Sequence, residues 1–400
     1  MSLVRGGRTP FTHETWLGRP FQSDLTGFPS VDVKSIGAGG GSIAWTDGGG
    51  VLHVGPQSAG AAPGPACYGA GGARATVTDA ALVVGYIDPD YFLGGQIRLD
   101  PGRAEEAIRR DVAEPLGLPV AAAAATVIEV WTENMVQAIA DITVNQGIDP
   151  AAATVIGGGG AAGLNAVAIA ARLNCGTLII PDVAAALSAA GAVASDIARE
   201  FRQVFVARTD RPDTETARKV IAALRDAGLA FVKSAGASRD DARMEFVVEA
   251  RYPHQVWEID VAIEPGAILE PDGMRRFEAA FHEAHERIFA FADPGSAVEI
   301  IGWRVAVRCP LARRAHDLRL SAAQPSATGR PTSRSIYFRR HGWLEAPVRD
   351  FGAMPAGTRF VGPAIVESPY TAIVIDPSAA FSKSARGNLI VAAARAEAGG

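Results

Sequence analysis

The 400-residue sequence has little cysteine and no long apolar run. Its three cysteines, Cys67, Cys175 and Cys309, lie far apart, which excludes a dense disulfide framework and a CxxC metal site and favours a reducing compartment. No apolar run reaches the roughly 18 residues that span a bilayer, and the N-terminal residues lack the apolar core of a signal peptide. The sequence therefore predicts a cytoplasmic protein without a membrane partner.

The sequence also lacks an excess of positive charge. It has 38 basic and 43 acidic residues, a net charge of −5, and no basic cluster with interleaved aromatic residues. Because surfaces that bind nucleic acid are strongly basic, we expect no nucleic-acid partner. The length favours two domains, and a change of sequence texture near residue 205 predicts them at 1–205 and 206–400.

Glycine, in contrast, is abundant, with 44 residues, and the first glycine-rich loop lies in SIGAGGGSIAW at 35–45. Gly39, Gly40 and Gly41 are not followed by the Lys-Ser/Thr of a Walker A loop, and the next elements are a strand and a hairpin rather than a helix. The loop therefore matches no standard phosphate-binding pattern. Both a structural turn and a ligand-facing backbone remain open, since positive φ angles alone can require glycine.

A second glycine-rich loop, GGGGAAG at 157–163, joins a predicted buried strand to a predicted helix. A further strand completes a βαβ unit over 153–180, which predicts a parallel sheet. Backbone N–H groups at such a junction commonly face a nucleotide. Gly158, Gly159 and Gly160 are therefore candidate nucleotide contacts, with close packing of the helix as the alternative.

Elsewhere the apolar spacing predicts mainly helices and a linker. Helices are expected at 103–117, 121–146, 213–228 and 272–290. Residues 311–334, rich in Arg, Ser, Ala and Pro, predict an exposed linker or loop.

Three further positions could carry chemistry or structure. Asp79 precedes an apolar segment and could cap a helix or hold a metal or substrate. Cys67 could be a nucleophile, although a small buried residue is the alternative. His282 and His285 are spaced HExH rather than HExxH, which favours a polar helix face over a zinc site. The sequence predicts no metal site.

Several specific stretches follow one another along the chain. They are SIGAGGGSIAW, VGPQSAGAAPGPACYG, TVTDA, DPDYFLGG (88–95), ENM (133–135), RYPHQVWEID (251–260), FHEAHERIFAF (281–291), VGPAIVE (361–367) and GNLIV (387–391). In this order and spacing they resemble the hydantoinase A/5-oxoprolinase family, which includes acetone and acetophenone carboxylase subunits. The resemblance runs from about residue 3 to 393 and covers the C-terminal two-thirds of the family pattern.

The resemblance implies an α/β fold, in which the second half of an actin-like, ribonuclease-H-type ATPase core precedes a β-rich α+β C-terminal domain. It implies ATP and Mg²⁺ as cofactors and a hydantoinase B-type subunit as a partner. The implied reaction is hydrolysis of a small cyclic amide, such as hydantoin or 5-oxoproline, after ATP activates its oxygen. The implied alternative is ATP-dependent carboxylation of a ketone.

The chain departs from the family pattern in two ways. GGGAAGLN at 158–165 stands where the family has FGGAGPLH, so Ala162 replaces a glycine and Asn165 replaces the usual histidine. The phosphate loops like DxGGTFTD and GGTSTDV are not in the chain, which begins just after the second loop would end. We therefore expect a piece of a longer enzyme, one half of a split enzyme, or a non-catalytic scaffold subunit.

The resemblance also implies roles for the candidate residues. Gly158, Gly159 and Gly160 would lie near the adenosine of ATP, and Gly39, Gly40 and Gly41 would line the same cleft. Asp79 and Asn165 would be the catalytic positions. Because half of an actin-like core would expose apolar surface, we expect an oligomer or a complex with a missing N-terminal half.

Overall fold

The computed structural model describes residues 1–7, 9–15, 24–144, 146–310 and 332–393. The chain divides into two compact units: unit 1 is Met1–Ser188 with Arg319–Gly400, and unit 2 is Ala189–Leu318. Unit 1 is discontinuous because Leu389–Ala392 pairs with Thr177–Ile180. The compact units thus differ from the division at residue 205, which stays a prediction about domains along the sequence.

Four strands precede the first α-helices among the described residues, and the last eight strands follow the last α-helix. The strands are β1 (Phe11–Thr15), β2 (Asp24–Val31), β3 (Ser42–Thr46), β4 (Leu52–Ser58), β5 (Thr154–Ile156), β6 (Thr177–Ile180), β7 (Ile197–Arg208), β8 (Arg243–Arg251), β9 (Ile259–Ile263), β10 (Glu299–Cys309), β11 (Ser333–Phe338), β12 (Gly342–Asp350), β13 (Arg359–Val361), β14 (Ala364–Ser368), β15 (Thr371–Ile375), β16 (Ala380–Lys383) and β17 (Leu389–Ala392). The α-helices are α1 (Val77–Val83), α2 (Pro101–Ile108), α3 (Glu114–Leu116), α4 (Val120–Val144), α5 (Ala166–Arg172), α6 (Leu187–Ala194), α7 (Thr214–Ser234) and α8 (Gly273–Phe289).

Unit 1 contains the predicted βαβ unit. β5 and β6 are parallel neighbours, with Thr154 opposite Thr177, and α5 lies between them in the chain. They form one end of a five-stranded sheet in the order β13-β16-β17-β6-β5, whose other pairs are antiparallel. Leu178 of β6 and Val167 of α5 are buried in one core. The predicted βαβ unit is confirmed by the parallel β5–β6 pair. The prediction of a parallel sheet is wrong for the sheet as a whole, because later strands add antiparallel pairs, and the prediction of a buried strand is wrong for β5, where Ile156 is 60% exposed at the sheet edge.

A second sheet of unit 1 supports the candidate site. Its order is β11-β12-β14-β15, in which β12 and β14 are parallel and the other pairs antiparallel. β14 and β15 form a hairpin in which Ser368 lies opposite Thr371. β3 and β4 form a separate hairpin, as its Asp-Gly turn predicts. The β3–β4 hairpin begins directly after the first glycine loop, and Thr371 of the β14–β15 hairpin contacts the second.

The helix predicted at 103–117 is interrupted. Residues between α2 and α3 form a π-helical turn, Arg109–Ala113. Pro115 has no N–H to donate to the carbonyl of Asp111, and that carbonyl instead accepts a hydrogen bond from Thr46 Oγ1 at 3.3 Å. The interruption therefore follows from Pro115, which the prediction from apolar spacing did not take into account.

The helix predicted at 121–146 is confirmed as α4. Its Val127 and Trp131 are buried in the core that α1 and α2 share.

No single helix among the described residues is long and apolar enough to cross a membrane. The bent pair of segments Pro101–Leu116 and Val120–Val144, at 87°, reaches that length and composition together.

Unit 2 is an antiparallel sheet in the order β7-β10-β8-β9, packed against α7 and α8. Its core includes Trp303 of β10, Phe281 of α8 and Ile221 of α7. α7 begins at the predicted position, where the Asp213 carboxylate accepts a hydrogen bond from the Thr216 N–H at 3.0 Å. The linker predicted at 311–334 lies almost entirely outside the described residues.

Candidate functional site

A cavity of about 220 Å³ lies in unit 1, where segments distant in the chain meet. The first glycine loop, the start of α1 and the second glycine loop all contribute to its lining. The stretch that follows α1 and the β14–β15 hairpin complete the lining. The two glycine loops that the sequence singled out therefore face one space.

Each glycine loop is held at the cavity by a threonine. Gly40, Gly41 and Gly160 line the cavity. Thr78 Oγ1 donates to the Gly40 carbonyl at 2.9 Å, and Thr371 Oγ1 donates to the Gly160 carbonyl at 3.1 Å. The first loop is therefore compatible with both predictions, the structural turn and the ligand-facing backbone, because it is a packed turn and also lines the cavity.

The other predicted glycines have different surroundings. Gly39 would accept a Cβ without any contact within 4 Å. A Cβ at Gly158 would lie 2.3 Å from Leu187 Cδ2, and Gly159 has a φ of +114°. These three glycines are not among the residues that line the cavity. Close packing accounts for Gly158 and backbone conformation for Gly159, while contact with a nucleotide stays a prediction.

One wall of the cavity carries two carboxylates bridged by a guanidinium. Asp88 and Glu367 line the cavity, and Arg334 donates to Asp88 Oδ2 at 3.0 Å and to Glu367 Oε1 at 2.8 Å. All three side chains are largely buried, with exposed fractions of 13%, 3% and 14% for Asp88, Glu367 and Arg334. Asp88 Oδ1 also accepts from the Asp90 N–H at 2.9 Å. This part of the lining is therefore anionic, and the Arg334 guanidinium offsets part of its charge.

Sequence reasoning did not assign a role to this triad. A signal was present, because Asp88 begins DPDYFLGG and Glu367 ends VGPAIVE, two of the stretches that resemble the family. Arg334 carried no such signal, since it lies at the end of the predicted linker. Only the fold brings Arg334 to residues 246 and 33 positions away.

Aromatic side chains form much of the rest of the cavity. Tyr68, Tyr91, Phe92 and Tyr370 line it. The rings of Tyr68 and Phe92 pack together, with centroids 5.7 Å apart. Burial raises the pKa of Tyr68, with smaller contributions from Cys67 and Asp79. The phenol therefore stays neutral, and the cavity combines apolar rings with one anionic wall.

Asp79 lies beside the cavity-lining Thr78 but is itself fully buried. Its carboxylate accepts hydrogen bonds from the N–H groups of Ala66, Cys67 and Thr76 at 3.2, 2.8 and 2.9 Å, and from Thr76 Oγ1 at 2.7 Å. Thr76 and Asp79 form a capping box at the start of α1. The helix-cap alternative is confirmed. The geometry supports a structural role for Asp79, and its catalytic role remains an untested prediction.

Cys67 is fully buried in the turn that Asp79 holds. Burial, and the neighbouring Asp79 carboxylate, raise the pKa of the Cys67 thiol far above its ordinary value. Because the thiolate is the nucleophilic form, these surroundings favour the small buried residue over the nucleophile.

Asn165 is buried next to Leu164, which lines the cavity. Its Nδ2 donates to Thr132 Oγ1 at 3.1 Å and contacts Met135 Sδ at 3.7 Å. Its Oδ1 is buried without a hydrogen-bond partner among the described residues. Asn165 does not line the cavity, and its catalytic role also stays a prediction.

The two histidines of the HExH stretch lie in unit 2. His282 Nδ1 is hydrogen-bonded to Tyr252 OH at 2.6 Å, and His285 Nδ1 donates to the Phe291 carbonyl at 2.7 Å. His285 is buried, so the polar-face interpretation is wrong for it, because aromatic rings of Tyr252 and Phe289 surround it. In the described part of the chain, no three His, Cys, Asp or Glu side chains converge as metal ligands would.

Comparison with known families identifies both parts of the sequence. Residues 1–201 match the family described as hydantoinase/oxoprolinase. Residues 208–382 match the hydantoinase/oxoprolinase C-terminal domain.

Individual relatives extend this similarity. The chain is 34% identical over 385 residues to the caprolactamase subunit alpha of Pseudomonas jessenii, covering 94% of this chain and 54% of that protein. It is 30% identical over 381 residues to the acetophenone carboxylase gamma subunit of Aromatoleum aromaticum, covering 91% and 51%. The chain thus spans about half the length of these curated relatives.

Solved structures agree in fold. An ATP-dependent caprolactamase from Pseudomonas jessenii matches with a TM-score of 0.73 and 32% identity, over 98% of this chain and 57% of that one. A nucleotide-free acetone carboxylase matches in fold with a TM-score of 0.79, at 24% identity, over 97% and 56%. The α/β fold class is confirmed, and it is consistent with the actin-like ATPase type.

Proposed function

Because the chain belongs to the hydantoinase/oxoprolinase family, we propose that it is part of an enzyme that hydrolyses a cyclic amide with ATP. The observation that carries the proposal is the cavity where Gly40, Gly41 and Gly160 meet. These two loops lie more than 100 residues apart in the sequence, and the fold places residues of both at one cavity. The similarity to an ATP-dependent caprolactamase supports the substrate class.

The proposed chemistry makes a stable amide reactive. The amide oxygen attacks the γ-phosphorus of ATP, an O–P bond forms, and the bond to ADP breaks. Water then adds to the activated carbon and the C–N bond breaks, with a proton moving to the nitrogen, which opens the ring to an acyl phosphate. A second water cleaves this acyl phosphate, so that free phosphate leaves and a ring-opened amino acid remains. A phosphorylated oxygen is a far better leaving group than an oxide, and this difference is what ATP supplies.

The cavity would contribute binding and orientation rather than phosphate transfer. Its aromatic rings can hold a small ring in place and exclude water, and such positioning lowers the barrier of a bimolecular step. We further propose that Mg²⁺ accompanies the phosphates of ATP. Since no three metal-ligating side chains converge among the described residues, we do not assign Mg²⁺ ligands to this chain.

A partner is part of the proposal. The relatives named above are subunits of caprolactamase and acetophenone carboxylase, which supports at least one companion subunit. We propose a hydantoinase B-type chain, or the N-terminal half that the family pattern contains, as that companion in the cytoplasm. The glycines near the adenosine would then complete a nucleotide site together with it.

Carboxylation of a ketone is the second candidate function. The 30% identity to an acetophenone carboxylase subunit favours it. Both reactions begin with ATP activating an oxygen, so the same cavity would serve either substrate.

The test uses the complex that co-purifies with the full chain. It is supplied with ATP and Mg²⁺, and separately with caprolactam, 5-oxoproline, hydantoin, or acetophenone with labelled bicarbonate. Phosphate release and the mass of the product are measured. Lactam-dependent phosphate release with a ring-opened product supports the proposal. Label fixed into a keto acid instead supports the carboxylase, and neither product supports a scaffold subunit.

A further inference from the structure

Strand β7 of unit 2 has a free edge. It lies at one end of the sheet β7-β10-β8-β9 and pairs with β10 in a regular antiparallel ladder from Ile197 to Val204. A strand at the end of a sheet presents a row of backbone N–H and C=O groups on its outer side. Between Ile197 and Val204, these outward groups have no hydrogen-bond partner among the described residues. The edge is therefore open to a further strand.

This strand has features that uncovered edges in proteins usually avoid. β7 is 12 residues long and contains neither proline nor glycine. Two of its apolar side chains, Val204 and Val206, are 73% and 61% exposed. Long edge strands with exposed apolar residues pair readily with other chains, and proteins usually shorten, interrupt or cover them. These features indicate that another strand covers β7 in the assembled protein.

Two charges on β7 restrict which strand can cover it. Glu200 and Arg202 lie on the same face, because alternate residues of a strand share a face. Their side chains are 49% and 51% exposed. Arg304 contacts one oxygen of Glu200, and Glu249 contacts one terminal nitrogen of Arg202. The other Glu200 oxygen and the other Arg202 nitrogens have no hydrogen bond among the described residues, so each side chain can take a second partner.

A second copy of β7 satisfies this restriction. Two copies of an edge strand pair antiparallel about a two-fold axis perpendicular to the sheet, so residues of the same face lie opposite each other. When Phe201 lies opposite its own counterpart, Glu200 lies opposite Arg202 at two places. Centring the pair one residue earlier or later brings Glu200 or Arg202 opposite itself, and these like charges repel. Centring it on Gln203 gives no ion pair, so the register around Phe201 is favoured.

We propose that β7 joins two copies of this chain, which pair antiparallel around Phe201 and merge their two unit 2 sheets into one of eight strands. Main-chain hydrogen bonds between the two edges supply the attraction, and the two pairs of Glu200 with Arg202 fix the register. One short segment carries both complementary charges, which favours a second copy over a strand of a different subunit. The proposal concerns a surface of unit 2 and does not depend on the reaction at the cavity of unit 1.

The first test measures self-association of the full chain by analytical ultracentrifugation. We expect the wild type to form a dimer. The single variants Glu200→Arg and Arg202→Glu each place like charges opposite each other at two places, so we expect each to raise the dissociation constant of the dimer at least about tenfold. Glu215→Arg reverses the charge of an exposed side chain that pairs with Lys219 on α7. It serves as the matched control and should dimerise like the wild type.

The second test mixes the two variants. In a mixed dimer of the Glu200→Arg and Arg202→Glu chains, each altered position faces the opposite charge in the other copy. We therefore expect the variants to be monomers when separate and to form a mixed dimer of nearly wild-type affinity when combined. Each variant loses a contact within its own chain, to Arg304 or to Glu249. Mixing cannot restore those contacts, so recovery of the dimer reports the contact between the two copies.

Each outcome decides on the proposal. Association that is lost in the separate variants and restored by mixing them supports it. A wild-type chain that stays monomeric throughout the measured concentration range would overturn it. Variants that dimerise as tightly as the wild type would overturn it too, because another surface would then hold the copies together. Variants that are folded by circular dichroism but stay monomeric even when mixed would overturn the pairing of Glu200 with Arg202 and with it the proposal.

Discussion

Thr78 Oγ1 donates a hydrogen bond of 2.9 Å to the carbonyl of Gly40 and so fixes the first glycine loop at the start of α1. A Cβ at Gly40 would lie 2.8 Å from the same Thr78 oxygen. The loop therefore needs glycine here for a close approach, and the carbonyl of Gly40 is already occupied. A substitution at Gly40 should therefore disturb Thr78, which also lines the cavity.

We predict that Gly40→Ala impairs lactam-dependent phosphate release severalfold and lowers the free energy of unfolding by about 1–2 kcal/mol. The added methyl must displace Thr78 and weaken its hydrogen bond. Activity assays and urea denaturation measure the two effects. Gly176→Ala is the control, because a Cβ there meets nothing within 4 Å. A Gly40→Ala protein with wild-type activity and stability would contradict the packing described above.

Asp79 provides a second prediction. Asp79→Ala removes the acceptor of three buried N–H groups and one hydroxyl, so we expect a loss of about 3 kcal/mol or more in the free energy of unfolding. Asp90→Asn, which alters an exposed pair with Arg98, should change stability by less than about 0.5 kcal/mol. If Asp79→Asn kept wild-type stability but lost all activity, the catalytic role would be favoured over the structural one.

Cys67 gives a prediction on reactivity. Burial and the Asp79 carboxylate raise the pKa of its thiol, so the nucleophilic thiolate is scarce at every pH near neutrality. We expect iodoacetamide to leave Cys67 unmodified in the native protein and to label it after unfolding in urea. Peptide mass spectrometry measures the labelling. Rapid native labelling of Cys67 at neutral pH would instead revive the nucleophile hypothesis.

Asp376 gives a prediction on pH. Burial raises the pKa of its carboxyl from 3.8 to about 6, and His341 opposes this effect weakly. The folded protein therefore favours the protonated form of Asp376. The resulting gain in the free energy of unfolding is fully present below the unfolded pKa of 3.8 and is lost as pH rises through about 6. We expect a loss of about 3 kcal/mol across this range.

The comparison with Asp376→Asn isolates that effect, since other acids have their own pH dependence. The difference in unfolding free energy between wild type and variant should change between about pH 4 and 6 and remain flat above about pH 7. A constant difference over the whole range would show that Asp376 titrates normally in the folded protein.

Local patterns predicted the parts of the fold that depend on neighbouring residues. The βαβ unit around 157–163 and helix α4 follow from apolar spacing and glycine placement, and both are confirmed. The π-helical turn before α3 was missed, because it depends on Pro115 and on a contact with the distant Thr46. The pairing of β17 with β6 was missed for the same reason, since its partners are about 200 residues apart.

The candidate site shows the same limit. The glycine pattern led to Gly40, Gly41 and Gly160, which line the cavity. The sequence pattern could not distinguish a helix cap from a catalytic acid at Asp79, because an acidic residue at the start of an apolar helix is compatible with both roles. Nor could it find Arg334, whose role exists only through its contacts with Asp88 and Glu367.

The most direct test of the central claim is the ratio of phosphate released to rings opened by the wild-type complex with ATP and caprolactam. The proposed function predicts one phosphate for each ring-opened amino acid and no phosphate release above background without the lactam. Ring opening without phosphate release, or phosphate release coupled only to incorporation of bicarbonate, would contradict it.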